Sequence, residues 1–318
     1  MHHDIPDELY ARWGNRRYYA FGQYLRDRFG QRIGKISLDA GHTCPNRDGT
    51  VGTEGCTFCR PDTFAGNKLL HTHAVQGQIA HASAYLLENY RYHKYLAYFQ
   101  TYTNTHAPAP ALRALYQSAL SMPDIVGIAI ATRPDCLSEE ILEILSELND
   151  QTYLLVELGL QSAHDKTLRY INRGHDYACF AESCRSLRRR NIDICTHIIA
   201  GLPGEDLSMM LETIRQLNSL EIQGIKIHQL QIIEGTAMAQ EHAAGTISTL
   251  ELHEFLDWIP LIVAEISPET AIHRLFSRAA KQSIISPKWG KTRQQIQIAI
   301  EKQLEKTTTW QGKNTHPT

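Results

Sequence analysis

No stretch of this 318-residue chain comes near the about 20 consecutive apolar residues that a membrane-crossing helix needs. The longest apolar stretches, such as Tyr153 to Leu160, have less than half that length. The opening residues, MHHDIPDELYARW, hold no apolar centre of a secretory leader, so a cytoplasmic protein with no membrane attachment is expected. Neither G-x-G-x-x-G nor G-x-x-x-x-G-K-[ST] follows a candidate strand, which leaves nucleotide binding of those two types unsupported. Internal repeats and low-complexity tracts are missing. With 20 Gly, 12 Pro and 42% apolar residues, the composition is that of a folded chain with a sizeable core. Seven cysteines, an odd number in a chain this long, argue against a disulfide framework. What remains is an enzyme-sized α/β domain with an appendage.

The net charge of −2 hides an asymmetry. Residues 12–35 carry seven Lys/Arg against one acid, and residues 273–293 carry six against none. Aromatics interleave both stretches: Trp13, Tyr18, Tyr19, Phe21, Tyr24 and Phe29 in the first, Phe276 and Trp289 in the second. Basic residues mixed with stacking ones suit a phosphate-bearing partner, although such runs also serve as plain solvated surface.

From residue 33 the pattern alternates short β-branched runs with longer amphipathic segments. Strands are expected at Ile33–Leu38, Tyr95–Thr101, Ile125–Ala131, Tyr153–Leu160, Ile192–Ala200 and Gly224–Leu230, with helices at 74–90, 109–120, 138–148, 176–190 and 206–219 between them. Ser138-Glu139-Glu140 and Pro203-Gly204-Glu205-Asp206 read as helix starts. Strands alternating with helices make a parallel sheet with right-handed crossovers. Six units exceed a minimal Rossmann half and fall short of an eight-fold barrel. The chain divides into a basic N-terminal segment (1–32), the α/β domain (33–238), a mostly helical appendage (239–306) with a possible short strand near Ala271–Leu275, and a polar tail (307–318) expected to be disordered.

Three of the cysteines crowd into one glycine-rich loop after the first strand, Cys44-PNRDGTVGTEG-Cys56-TF-Cys59. Such a loop can fold back and bring three sulfurs to one centre. Structural zinc wants four ligands, and only His42, His71 and His73 lie near enough in sequence to supply a fourth. An electron-transfer iron–sulfur centre also wants four thiolates. Three thiolates leave a position open, as a reactive centre requires.

This loop resembles the ligand loop of the radical S-adenosylmethionine (SAM) superfamily, in particular its YhcC/YtqA-type members akin to the Elongator catalytic subunit. The common C-x3-C-x2-C spacing is here C-x11-C-x2-C, similar to the long loop of the Elongator-like branch, and Phe58 holds the aromatic position before the last cysteine. Further matches fall at strand ends: TYTNT (101–105), ATRPDCL (131–137), ELGLQSAHDKTLRYINRGHD (157–176), THIIAGLPGED (196–206) and KIHQLQIIEGT (226–236). The resemblance implies a partial (β/α)6 barrel of the TIM type, with the site at the C-terminal ends of the strands, where the alternation of units also places it.

It further implies a [4Fe-4S] cluster on Cys44, Cys56 and Cys59, SAM as the molecule cleaved there, and a one-electron donor such as flavodoxin or ferredoxin. Phe58, Gln100, Thr101, Glu157, Gln161, Ser162, Arg173, His197 and Gly201 would surround SAM. In that scheme Arg173 pairs with the SAM carboxylate, Gln161 meets a ribose edge, and Gly201 lets adenine approach the backbone. Plainer readings stand beside these: Glu157 paired with Lys226, Arg173 paired with Asp176, and Gly201 in an ordinary turn. Cys136 lies at the mouth of the third strand, within possible reach of substrate, whereas Cys179, Cys184 and Cys195 read as small core residues. Elongator-like relatives act on the wobble uridine of tRNA, so the resemblance implies tRNA as substrate. The chain is too short for an added acetyltransferase domain, which favours editing of an existing side chain on uridine C5. Two alternatives are a radical SAM oxidoreductase acting on a tetrapyrrole or another small molecule, and a non-catalytic zinc or iron–sulfur module.

Overall fold

The computed structural model describes residues 4–61, 74–277 and 281–315. Ile33–Leu38 (β1), Lys94–Phe99 (β2), Ile125–Thr132 (β3), Tyr153–Gln161 (β4), Asp193–Ala200 (β5) and Gly224–Gln229 (β6) pair in parallel and in chain order. Strands β2 to β5 are mostly apolar because helices cover one face and the curled sheet encloses the other, whereas β1 and β6 alternate apolar residues with polar ones such as Lys35, Lys226 and His228. Ile232–Ile233 (β7) leaves the sheet, and Ala271–Arg274 (β8) joins it as a seventh parallel strand beside β6. The architecture is therefore a curled half-barrel with one strand more than the six expected. Ile284–Ser286 (β9) pairs antiparallel with β7.

The helices are Asp7–Arg12 (α1), Phe21–Phe29 (α2), Val75–Tyr90 (α3), Ala109–Leu120 (α4), Glu139–Asn149 (α5), Asp165–Tyr170 (α6), Tyr177–Arg188 (α7), Leu207–Ser219 (α8), Ala237–Ala243 (α9), Leu252–Glu265 (α10) and Arg293–Lys306 (α11). Start signals work as the sequence indicates: Ser138 accepts from the amide of Ile141, and Asp206 from that of Met209. The convex face of the sheet buries Ile36, Phe99, Ile130, Val156, Ile198 and Ile227 against this helical layer.

Side chains alternate along each strand, and the concave face divides into two levels. At the N-terminal level Leu96, Ala129, Leu155 and Cys195 are apolar, and α2 packs Leu25, Phe21, Tyr24 and Phe29 against them. Above this plug the inward positions turn polar: Lys35, Tyr98, Glu157, His197 and Lys226. The fold thus seals one end of the half-barrel and leaves a polar chamber at the other.

The basic N-terminal segment is part of the fold rather than a stacking arm. Trp13, Tyr18 and Tyr19 are buried, and Ala20 pairs with Ile272 beside β8. Arg17 is bound to Asp4 and to the Thr309 carbonyl, and Arg28 lies over the Tyr153 ring. The tail is docked through residue 315, where disorder was expected. Trp310 joins Ile5, Leu9, Trp13 and Tyr19 in a small core. The fully buried Gln311 accepts from the Tyr19 amide at 2.8 Å and donates to the carbonyls of Ser267 and Thr270 at 2.6 and 2.7 Å. A polar composition conceals that one amide side chain satisfies three buried backbone groups.

Candidate active site

The cysteine loop closes on itself before it meets the barrel. The Cys44 carbonyl accepts from the amides of Arg47 and Asp48, Gly55 donates to the Asn46 carbonyl, and Cys59 to that of Cys56. Gly55 has φ +78°, and a Cβ there would lie 2.7 Å from the Arg47 guanidinium, which itself holds the Cys59 carbonyl. Only glycine fits that position. Asn46 Nδ2 donates to the Asn172 carbonyl and Asn172 Nδ2 to that of Gly55, tying the loop to the segment after α6.

Cys44, Cys56 and Cys59 are free thiols on the wall of one cavity of 290 Å³. Asn46 Nδ2 and Arg173 Nη1 lie 3.7 and 3.5 Å from the Cys56 sulfur. Burial, with Cys56 and Cys44 adding to it, pushes the Cys59 thiol up to about 12, so its thiolate needs a cationic partner. Three sulfurs on one wall, with Cys56 served by two hydrogen-bond donors, fit a sulfur-ligated metal cluster. Among the described residues the group with all ligand atoms within 4.8 Å is Glu157, Cys195 and His197, not the loop thiols. At least one pair of loop sulfurs is thus farther apart than 4.8 Å, wider than the about 3.8 Å that a single tetrahedral zinc imposes. His42 is off the cavity wall, and His71 and His73 lie outside the described residues.

Phe58, Gln100, Thr101, Glu157, Gln161, Arg173 and His197 all line this cavity. Gln161 sits at φ 81° beside a register shift between β4 and β5, a left-handed conformation rare for glutamine that marks the strand end. At Gly159 a Cβ would meet Arg173 Nη2 at 2.7 Å and Gln161 Nε2 at 2.8 Å, so glycine there makes room for both side chains. Arg173 donates to the Gly159 carbonyl and to Cys56. Asn104 Nδ2 reaches the carbonyls of Phe99, Thr101 and Ala131 and pins the TYTNT turn.

Ser162 and Gly201 lie off the cavity wall. The buried Ser162 hydroxyl donates to Glu205 and accepts from the His164 amide. Gly201, at φ +77°, admits Leu250, whose Cγ would stand 2.9 Å from an added Cβ. Cys136 lines a separate hollow of 530 Å³ with Asp135 and His106.

Beneath the loop, Glu157 is the hub of a buried network. Its Oε1 takes Lys35 Nζ at 2.7 Å, and its Oε2 takes Tyr98 OH at 2.6 Å, His197 Nε2 at 2.9 Å and Lys226 Nζ. Burial alone would raise the Glu157 carboxyl, but Lys226, Lys35 and His197 together hold it well below the usual carboxylate range. Burial pulls Lys226 down to about 7, against the opposing pull of Glu157. Burial and Lys226 lower His197 to about 4, so its ring is neutral and donates through Nε2. Sequence reasoning foresaw Lys226 beside Glu157 and missed Lys35, Tyr98, Arg133 and Arg274. For Lys35 and Tyr98 the available signal is strand alternation, which points both inward.

A sequence profile of the Radical SAM superfamily matches residues 43–217, and that of the Radical SAM C-terminal domain matches residues 222–306. YtqA of Bacillus subtilis is 42% identical over 301 residues, covering 94% of this chain and 92% of its own length. Protein YhcC of Escherichia coli K12 is 40% identical over 285 residues, covering 89% and 91%. Among solved structures, the archaeal Elp3 of Methanocaldococcus infernus has the same fold with a TM-score of 0.69 at 16% identity, covering 88% of this chain and 64% of that one.

Proposed function

The chain belongs to the radical SAM superfamily, an enzyme family that uses a [4Fe-4S] cluster and SAM, and from that premise we propose that it edits the side chain on C5 of the wobble uridine of tRNA. The observation that carries this reading is a groove of 640 Å³ in which the two basic stretches meet. Arg16, Arg274 and Arg293 line it with Phe21 and Phe276, and it shares Arg274 with the cavity below the cysteine loop. Among the described residues none of these three guanidiniums has a carboxylate partner, an arrangement suited to the phosphates of a nucleic acid strand.

In this reading Cys44, Cys56 and Cys59 hold the cluster, and Arg173 stabilises the charge on the Cys56 sulfur. Bound together, cluster and SAM supply one-electron chemistry that ends in removal of a hydrogen atom from substrate. Phe58, Gln100, Thr101, Gln161 and Arg173 border SAM. Glu157 and His197, already bonded within the chain, form a rigid polar floor. Ser162 and Gly201 act one layer out, fixing the turn after β4 and the packing of Leu250. Together with the α2 plug, these walls keep water from the reacting centre.

The test is nucleoside analysis of tRNA incubated anaerobically with reconstituted protein, SAM and dithionite. Conversion of one C5-substituted uridine is expected, with 5′-deoxyadenosine formed alongside. SAM cleavage with every nucleoside unchanged would overturn the tRNA reading and favour a small-molecule substrate. Reversing Arg16 and Arg293 to Glu should weaken tRNA binding and reduce its salt slope by about two counterions.

A further inference from the structure

Among the described residues the cavity wall carries five Lys/Arg (Arg47, Arg133, Arg173, Lys226, Arg274) against a single acid, Glu157. Most of this charge is already committed. Arg47 holds the Cys59 carbonyl, Arg173 the Gly159 carbonyl and Cys56, and Arg133 makes a two-pronged bond to Asp135 at 2.9 and 2.7 Å. Lys226 shares Glu157 with Lys35. Arg274 differs: among the described residues no acid, carbonyl or ring engages its half-buried guanidinium. The β6–β8 register puts it beside Lys226, on the inward side of the edge strand. On the neighbouring strand, the buried Nε2 of His228 is also without a hydrogen-bond partner, and that ring lines the same cavity.

A half-buried cation with no counter-charge, next to a lysine pair that shares one carboxylate, leaves this end of the cavity positive whether or not Lys226 is protonated. Such an excess is costly in a water-poor chamber unless a ligand completes it. We propose that Arg274, flanked by Lys226 and His228, is an anion pocket that receives a carboxylate or phosphate group of the reacting substrate. The planar guanidinium fork suits either oxyanion. The pocket sits where groove and cavity meet, so an anionic group held there would fix the substrate between its binding surface and the cysteine loop. This inference rests on the reading of the cavity as the reaction chamber, and it narrows the substrate to one with a negatively charged group near the reacting carbon.

The experiment is peptide-resolved labelling of arginines by phenylglyoxal on the reconstituted holoenzyme, with and without saturating SAM. Acetate and inorganic phosphate are added in separate arms, and chloride at equal ionic strength is the control. Labelling of Arg274 should slow by about tenfold at an anion concentration ten times its dissociation constant. The exposed Arg113, paired with Glu147 on the outer helices, should label at an unchanged rate. Protection by acetate with SAM present identifies a carboxylate pocket, and protection by phosphate alone identifies a phosphoryl one. Protection by SAM alone would assign Arg274 to the cofactor and overturn the proposal. So would labelling that neither oxyanion slows. A protein that still cleaves SAM while Arg274 goes unprotected keeps the reading of the chamber and loses only the pocket.

Discussion

Arg173 Nη1 lies 3.5 Å from the Cys56 sulfur, bringing a guanidinium from the segment after α6 onto the ligand loop. The same side chain is anchored by Nη2 to the Gly159 carbonyl at 2.6 Å, so its position is set by a backbone atom of β4. A cation held against a ligating sulfur stabilises the more negative, reduced state of a cluster. Arg173→Met should therefore make the cluster potential more negative by tens of millivolts, measured by redox titration followed by EPR. Gly159→Ala should shift it in the same direction, because the added Cβ would occupy the place of Nη2. An unchanged potential in both variants would remove Arg173 from the electronics of the site.

The ligand set is tested by iron content. Cys44→Ala, Cys56→Ala and Cys59→Ala should each lose the cluster and SAM cleavage, because three thiolates are the minimum that holds it. Cys179→Ala, a change on α7 away from the cavity wall, should retain both. Equal iron loss in all four variants would contradict this assignment.

How much of this was legible in the sequence depends on how local the signal is. The six long strands and five of the helices follow from continuous apolar runs and helical spacing, with ends displaced by a residue or two. The short strand expected near Ala271–Leu275 is β8, but its four residues carry no sign that it extends the barrel sheet and brings Arg274 to the cavity. The cysteine loop was readable because its ligands are crowded together. The Glu157 network was only partly so, since Lys35, Tyr98 and Lys226 come from three other strands and meet only when the sheet curls. The aromatics of residues 13–29 misled as a stacking surface. The spacing of Phe21, Tyr24 and Leu25 is that of an amphipathic helix face, which buries Leu25 and packs Phe21 and Tyr24 partly against the barrel floor. In the tail, Trp310 was the one apolar signal among polar neighbours. Trp310→Ala should cost about 3 to 5 kcal/mol in denaturant unfolding, whereas a disordered tail would show no change.

The Glu157 network sets a test by double-mutant cycle. Glu157→Gln removes the carboxylate that Lys226 and Lys35 share, and Lys226 is almost wholly buried. Leaving that cation uncompensated should destabilise the fold by about 3 kcal/mol. Adding Lys226→Met to Glu157→Gln should recover part of the loss, a coupling of about 1 kcal/mol or more. Strictly additive effects would mean that the two groups do not depend on each other.

The histidines beside this network give the fold a pH dependence with a definite sign. His197 protonates at about 4 in the fold, lowered by burial first and by Lys226 second, against about 6.5 in the unfolded chain. Between those values the unfolded state binds more protons, so stability must fall as pH drops through that window. His228 and His273 are lowered well below their ordinary value, chiefly by burial, and act in the same direction. His197→Gln keeps an N–H for Glu157 and removes the titration. Thermal unfolding of wild type and variant, both reconstituted and anaerobic, should therefore show curves that converge as pH falls from 7 to 5, with the variant losing less by on the order of 1–2 kcal/mol. Cluster loss in acid affects both proteins alike and leaves that difference intact. Parallel curves would mean that His197 takes up its proton at the same pH in the folded and unfolded chain, and that burial in this network does not hold its ring neutral.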